Sequence, residues 1–221
     1  MPNDAVDHSR PCIYVVAGTN GGGKSTIVGA AIIESGAEYF NPDDVARGLL
    51  IEDASLTQQE ANIRAWNQGK AWLERAIESR LTYAFETTLG GNTIRKLLEH
   101  ALASGIDVKM WYVALATAEL HIARVQARVL KGGHDIPPEK IRERYDRSRE
   151  NLIRLLPNLT ELRVFDNSGD EDPLTGHTPK PLLVLHTVRG AILTMCQPEE
   201  VPQWAKPLIS AAIRSSRGSV A

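Results

Sequence analysis

The sequence predicts an α/β domain: a doubly wound, mostly parallel sheet flanked by helices, of the P-loop nucleoside-triphosphate kinase type, with an arginine-rich helical lid. Three observations predict it. Short apolar runs alternate with helical stretches, the pattern of a parallel sheet covered on both faces. The glycine-rich segment GTNGGGKST, residues 18–26, follows the first of those runs. Arginines gather on both sides of a Gly-Gly…Pro-Pro hinge at residues 132–138.

The elements follow in order. Strands are expected at CIYVVAG (12–18), AEYFN (37–41), TYAFET (82–87), VKMWYVAL (108–115), LRVFDN (162–167) and LLVLHTV (182–188). Residues 25–35 read as a short helix closed by Gly36, and 56–80 as a long amphipathic helix. Asn92 is placed to cap a helix reaching about residue 103. A further helix spans 117–130 and stops at Gly132-Gly133, and Pro137-Pro138 start the next, over 139–155. From Pro198 the chain reads as a C-terminal helix with a frayed tail at 214–221; residues 1–11 are expected to be flexible.

The 221 residues suffice for one domain with a substantial core, and we assign 1–221 to a single kinase-like domain. Formal net charge is -2, so a dedicated nucleic-acid binder is not expected and any basic site is local. Cys12 and Cys196 stand alone, which argues against a disulfide framework or zinc site. Neither a secretory leader nor a membrane-length apolar run is legible, so a cytoplasmic, soluble protein is expected.

Gly18 to Ser25 fits G-x-x-x-x-G-K-[ST], with a strand before it and a helix after it. Glycines let backbone N–H groups converge on phosphate without Cβ interference, and the helix N-terminus adds partial positive charge. Gly18, Asn20, Gly21, Gly22, Gly23, Lys24, Ser25 and Thr26 are therefore the candidate ATP-binding residues. Lys24 is assigned to the β and γ phosphates and Ser25 to Mg²⁺. No NKxD segment marks guanine reading, and LRVFD resembles the Asp-Glu strand end of a mechanical ATPase only weakly.

The second predicted strand ends in NPDDVAR and the third in FETTLGG. Ligands of open α/β sheets gather at such carboxyl ends. Asp43 is the candidate base orienting an acceptor hydroxyl; the bland alternative is that Asn41, Asp43 or Asp44 caps the next helix. Asn41, Arg47, Glu86, Thr87, Thr88 and His134 are candidate substrate contacts. Glu86 either binds an acceptor hydroxyl or orders Mg²⁺ through water. Arg124 and Arg128, four apart on one helical face, are candidates to look at the nucleotide; interleaved acids make ion-paired, solvated arginines the better expectation for most of the others. His121 reads as structural, and Trp66, Trp72, Trp111 and Trp204 as packing residues.

GTNGGGKST, NPDDVAR, FETT and RVQARVLKGGHDIPPEKIRERYDRS, in this order, resemble the zeta toxin family of P-loop kinases over roughly residues 12–168. GGHDIPP resembles the chromosomal, shorter branch. The resemblance implies a kinase using ATP and Mg²⁺ to phosphorylate the 3′-hydroxyl of UDP-N-acetylglucosamine. It gives Lys24 the role of phosphate-loop lysine, Asp43 that of catalytic base, Glu86 that of acceptor-side glutamate and Arg128 that of a catalytic, phosphate-contacting arginine. Where the best-known members carry a second hinge arginine this chain has His134, so that cation is expected from Arg124, Arg142 or Arg144. The chain has no legible antitoxin segment, and any antitoxin partner is a separate protein. Two other readings stay open: a kinase acting on an antibiotic, a nucleoside derivative or a polynucleotide end, and a nucleotide-binding interaction protein that transfers nothing.

Overall fold

The computed structural model describes residues 10–24, 39–169 and 180–218. Its sheet has seven strands: β1 (Cys12–Ala17), β2 (Tyr39–Phe40), β3 (Tyr83–Thr87), β4 (Asp107–Ala114), β5 (Glu161–Asp166), β6 (Leu182–Val188) and β7 (Ala191–Met195), in the order β2-β3-β1-β4-β5-β6-β7. The first five pair in parallel. All six residues of β1 are buried, as a central strand covered on both faces requires. Their carboxyl ends lie along one edge of the sheet, and every candidate site residue on β1 to β3 sits there or just beyond.

The sheet is not parallel throughout. β6 runs antiparallel to β5, and β7 antiparallel to β6. β7 is a correction to the predicted elements. Arg189 and Gly190 both take positive φ, 48° and 79°, the turn that joins two strands in a tight hairpin. AILTM is a half-exposed edge strand, so it lacks the continuous apolar run that marked the others.

Six described helices flank the sheet: α1 (Pro42–Glu52), α2 (Gln58–Glu78), α3 (Asn92–Ala103), α4 (Ala118–Val129), α5 (Pro138–Leu155) and α6 (Lys206–Gly218). The predicted helix at 25–35 lies outside the described residues. α2 starts at a reciprocal cap in which Thr57 accepts from the Glu60 amide and Glu60 accepts from the Thr57 amide. Thr117 caps α4 and Pro138 opens α5. Asn92 is the first residue of α3 rather than its cap; Gly91 occupies the cap position without a side-chain bond. Two short 3-10 turns precede α6, which continues to Gly218 through part of the stretch expected to fray. Among the described residues no helix is long and apolar enough to cross a membrane.

The main core joins Ile13, Val15, Leu73, Met110, Tyr112, Leu152, Leu155 and Val164, between the sheet and the helices α2, α3, α5 and α6. One loop at its rim needs support from outside. Leu89, buried just after β3, takes φ 54°, a left-handed conformation unfavourable for a leucine. The buried Asn151 amide of α5 donates to the Leu89 carbonyl at 2.8 Å and to the Gly91 carbonyl at 3.2 Å. Asn151→Ala leaves both carbonyls under-satisfied, so we expect a loss of roughly 1–3 kcal/mol, read from the urea midpoint.

Candidate active site

The glycine loop leaves the end of β1 and is fastened from three sides. The Gly18 amide donates to the Thr87 carbonyl at 3.2 Å, tying the loop to β3. Gly18 has φ 140°, and a Cβ there would lie 2.0 Å from the Val113 carbonyl oxygen of β4. Gly21 has φ 80°, with the His121 carbonyl 2.6 Å from where a Cβ would sit. These positions admit glycine because neighbouring backbone already occupies the space. The Asn167 side chain, just past β5, donates to the Gly22 carbonyl at 3.0 Å.

His121 is the third fastening. The Leu115 amide donates to its Nε2 at 3.2 Å, which places the ring proton on Nδ1, and Nδ1 donates to the Asn20 carbonyl at 2.8 Å. Burial drives its pKa down to about 4, opposed by the bond to Asn20 and assisted by Lys24, Arg124 and Arg149. The imidazole is thus neutral, which this donor and acceptor arrangement requires. The structural role expected for His121 is the one it has.

Lys24 is buried. Its Nζ lies 2.8 Å from the Gly18 carbonyl, 3.5 Å from the Thr19 carbonyl and 3.3 Å from Glu86 Oε1. Glu86 Oε2 accepts from the Tyr39 hydroxyl at 2.9 Å. Ser25 and Thr26 lie outside the described residues.

Beside the loop opens a cleft of about 960 Å³. Of the predicted residues it brings together Asn20, Asn41, Asp43, Glu86, Thr87, Thr88 and His134. The competition over the cap of α1 is resolved here. Asn41 Oδ1 accepts from the Asp43 amide at 3.0 Å, so Asn41 is the cap, and the Asp43 carboxylate has no hydrogen-bond partner among the described residues. Thr87 and Thr88 both spend their hydroxyls in part on the turn that follows, accepting from the Leu89 and Gly90 amides. The His134 ring meets the Asn62 side-chain amide at 3.4 Å, spanning from the hinge to α2.

The arginines separate. Arg144 reaches the cleft: Nη1 donates to Asn20 Oδ1 at 2.8 Å, and its stem covers Gly90 so closely that a Cβ there would lie 2.9 Å from Cγ. Burial pulls its pKa below the ordinary arginine value while the nearby Asp43 charge pushes it back up. Arg142 pairs with Glu119, Arg147 with Glu143 and Arg149 with Asp146, the ion-paired outcome expected for most of this region. Arg124 donates to the Gly169 carbonyl at 2.9 Å and Arg128 to the His134 carbonyl at 3.2 Å, and neither lines the cleft. Arg47 faces outward, 3.1 Å from Asp44 on the exposed side of α1.

Two groups of residues escaped the sequence. Tyr39 looked like one more strand aromatic. Along α2, Gln59, Asn62, Ile63, Trp66, Asn67 and Lys70 line the cleft. Their spacing traces a helical stripe separate from the core stripe of Ala61, Ala65, Gly69 and Leu73. Trp66 is 45% exposed at the cleft, whereas Trp111 and Trp204 are buried as expected and Trp72 packs edge-on against Phe40 at 5.2 Å. The second stripe was legible as a pattern, but a polar helix face is by default a solvated one. Asp166, the weak ATPase-like acid, accepts from the Trp204 indole and the Ser168 amide.

Fold and loop define the class: a P-loop protein of the nucleoside-triphosphate kinase type, its parallel strands ending at a fastened glycine loop. The chain belongs to the zeta toxin family, whose model matches residues 2–172. An uncharacterized protein of Haemophilus influenzae is 30% identical over 135 residues, 58% of this chain and 88% of its own. Among solved structures, the AvrRxo1-ORF1:-ORF2 complex with ATP is similar at a TM-score of 0.64 and 15% identity; the match covers 92% of this chain and 64% of that one. The PezAT chromosomal toxin-antitoxin system of Streptococcus pneumoniae matches at a TM-score of 0.53 and 12% identity, over 95% of this chain and 87% of its own. At these identities the structural likeness is one of fold.

The His121 clamp predicts a pH signature. A histidine whose pKa is about 6.5 unfolded and about 4 folded binds its proton preferentially in the unfolded chain. Its contribution is therefore intact above pH 6.5 and is lost as the pH falls toward 4, by at most about 3 kcal/mol. Comparing urea midpoints of wild type and His121→Gln across this window isolates the effect; the variant's profile is expected to be flatter.

Proposed function

We propose that this chain is an ATP-dependent phosphotransferase that moves the γ-phosphoryl group to a hydroxyl of a sugar nucleotide, the 3′-hydroxyl of UDP-N-acetylglucosamine being the acceptor that the family membership favours. One observation carries the proposal. The cleft that opens beside the glycine loop holds Asp43, with no hydrogen-bond partner among the described residues, together with Glu86, Arg144 and Asn20.

In this reading the loop amides and Lys24 bind the β and γ phosphates. Asp43 accepts the hydrogen bond of the acceptor hydroxyl, aims it at the terminal phosphorus and takes its proton as transfer proceeds. Glu86 and the two threonines fix the acceptor, with Asn41 holding the first turn of α1 beneath Asp43. Arg144 fills the place of the second cation and spreads its planar donors toward the phosphate oxygens. Arg128, bonded to the His134 carbonyl, reaches phosphate only if it leaves that bond, Arg124 only if it leaves the Gly169 carbonyl, and His134 is an acceptor contact.

Magnesium fits this donor set. Asp43 and Glu86 bring hard carboxylate oxygens to the cleft beside the loop, and the Ser25 hydroxyl, with phosphate and water, would hold the ion. When bound, the ion neutralises charge on the phosphate oxygens. The partner reading is a separate antitoxin protein, supported by the likeness to the PezAT toxin-antitoxin system. We assign the protein to the cytoplasm, where ATP and sugar nucleotides are at hand.

Incubation with ATP, Mg²⁺ and UDP-N-acetylglucosamine is expected to add one phosphoryl mass to the sugar nucleotide. Asp43→Ala is expected to lower turnover by about 10²–10⁴-fold while ATP binding stays near wild type. Near-normal turnover in that variant sinks the base assignment, and an acceptor extract in which no phosphorylated product forms sinks the activity.

A further inference from the structure

Protein groups surround the Lys24 ammonium. It donates to the Gly18 carbonyl at 2.8 Å and, at 3.5 Å, to the Thr19 carbonyl, and it forms an ion pair with Glu86 Oε1 at 3.3 Å. A phosphate oxygen approaching Lys24 competes with these three. The two carbonyls belong to backbone that Val113, His121 and Asn167 fasten in place. Glu86 alone among the three offers its oxygen on a rotatable side chain.

That carboxylate is itself held. Oε1 faces Lys24 at 3.3 Å while Oε2 accepts from the Tyr39 hydroxyl at 2.9 Å. The register explains the chain of contacts: β2, β3 and β1 are successive strands, with Tyr39 opposite Ala84 and Val16 opposite Glu86. The side chains of the pair are only 7% and 15% exposed, so either charge left unpaired there is strongly disfavoured. Losing water, and lying beside the Glu86 charge, pushes the Tyr39 phenol pKa up, so its hydroxyl stays a donor.

We propose that Glu86 is a latch on the phosphate loop, a carboxylate that competes with the terminal phosphate for Lys24, and that Tyr39 is the positioning residue that holds it there. Nucleotide binding exchanges one anion for another at the lysine and frees the Glu86 carboxylate toward the cleft it lines. The inference rests on the nucleotide-binding half of the proposed function and needs no particular acceptor.

The test is ATP binding to the full-length chain in EDTA, followed by titration calorimetry. Glu86→Gln keeps the shape and removes the competing charge, and is expected to tighten ATP binding about tenfold. Tyr39→Phe loosens the latch and is expected to tighten it by roughly two- to fivefold. The Tyr39→Phe, Glu86→Gln double variant is expected to bind no more tightly than Glu86→Gln alone, since the tyrosine acts through the carboxylate. Equal or weaker binding by Glu86→Gln overturns the latch, and additive tightening in the double variant overturns the role of Tyr39. Failure of wild type and Glu86→Gln alike to bind ATP overturns the latch and the phosphotransferase proposal together, whereas tight, equal binding overturns the latch alone.

Discussion

The contact on which this structure depends is the close approach of the glycine loop to the β4 backbone. With the Val113 carbonyl 2.0 Å from the place a Gly18 Cβ would take, the loop has no room for any other residue there. Its remaining freedom is removed by polar groups: Thr87 of β3 receives the Gly18 amide, Asn167 holds the Gly22 carbonyl, and neutral His121 joins the Asn20 carbonyl to the Leu115 amide. A loop that must present amides to an anion is stable only when its carbonyls are satisfied elsewhere, and here His121 of α4 and Asn167 beyond β5 satisfy two of them.

Burial sets the electrostatics. Lys24 sits in a nearly dry site, where its charge needs an anion beside it. Glu86 provides that charge from the end of the neighbouring strand. The pair is near neutral as a unit, which lets a phosphate-binding centre exist inside a protein of net charge -2 without a broad basic surface. Three arginines of α5, Arg142, Arg147 and Arg149, are neutralised in place by Glu119, Glu143 and Asp146, whereas Arg144 is bonded to the loop residue Asn20.

Opposite the loop, α2 works with two faces. Small residues, Ala61, Ala65 and Gly69, let it pack closely; a Cβ on Gly69 would lie 2.5 Å from the Phe40 ring. The next stripe around the helix, with Asn62, Trp66 and Asn67, forms a wall of the cleft. Close packing on one face thus brings polar and aromatic groups of the other toward the strand ends.

Local sequence was enough for the phosphate loop, the first six strands and most helix limits, because glycine spacing, apolar runs and Thr or Pro caps act within a few residues of the chain. It also placed Asp43 and Glu86 at strand ends beside the loop. Pairings between distant residues were decided only by the tertiary structure: Tyr39 with Glu86 across 47 positions, Arg144 with Asn20 across 124, and Asn167 with Gly22 across 145. The same holds for Asn41 prevailing over Asp43 as the helix cap, for the antiparallel β6–β7 edge, and for the α2 face that lines the cleft. Each is a competition between locally equivalent groups, settled by which of them the packed sheet and helices bring within bonding distance.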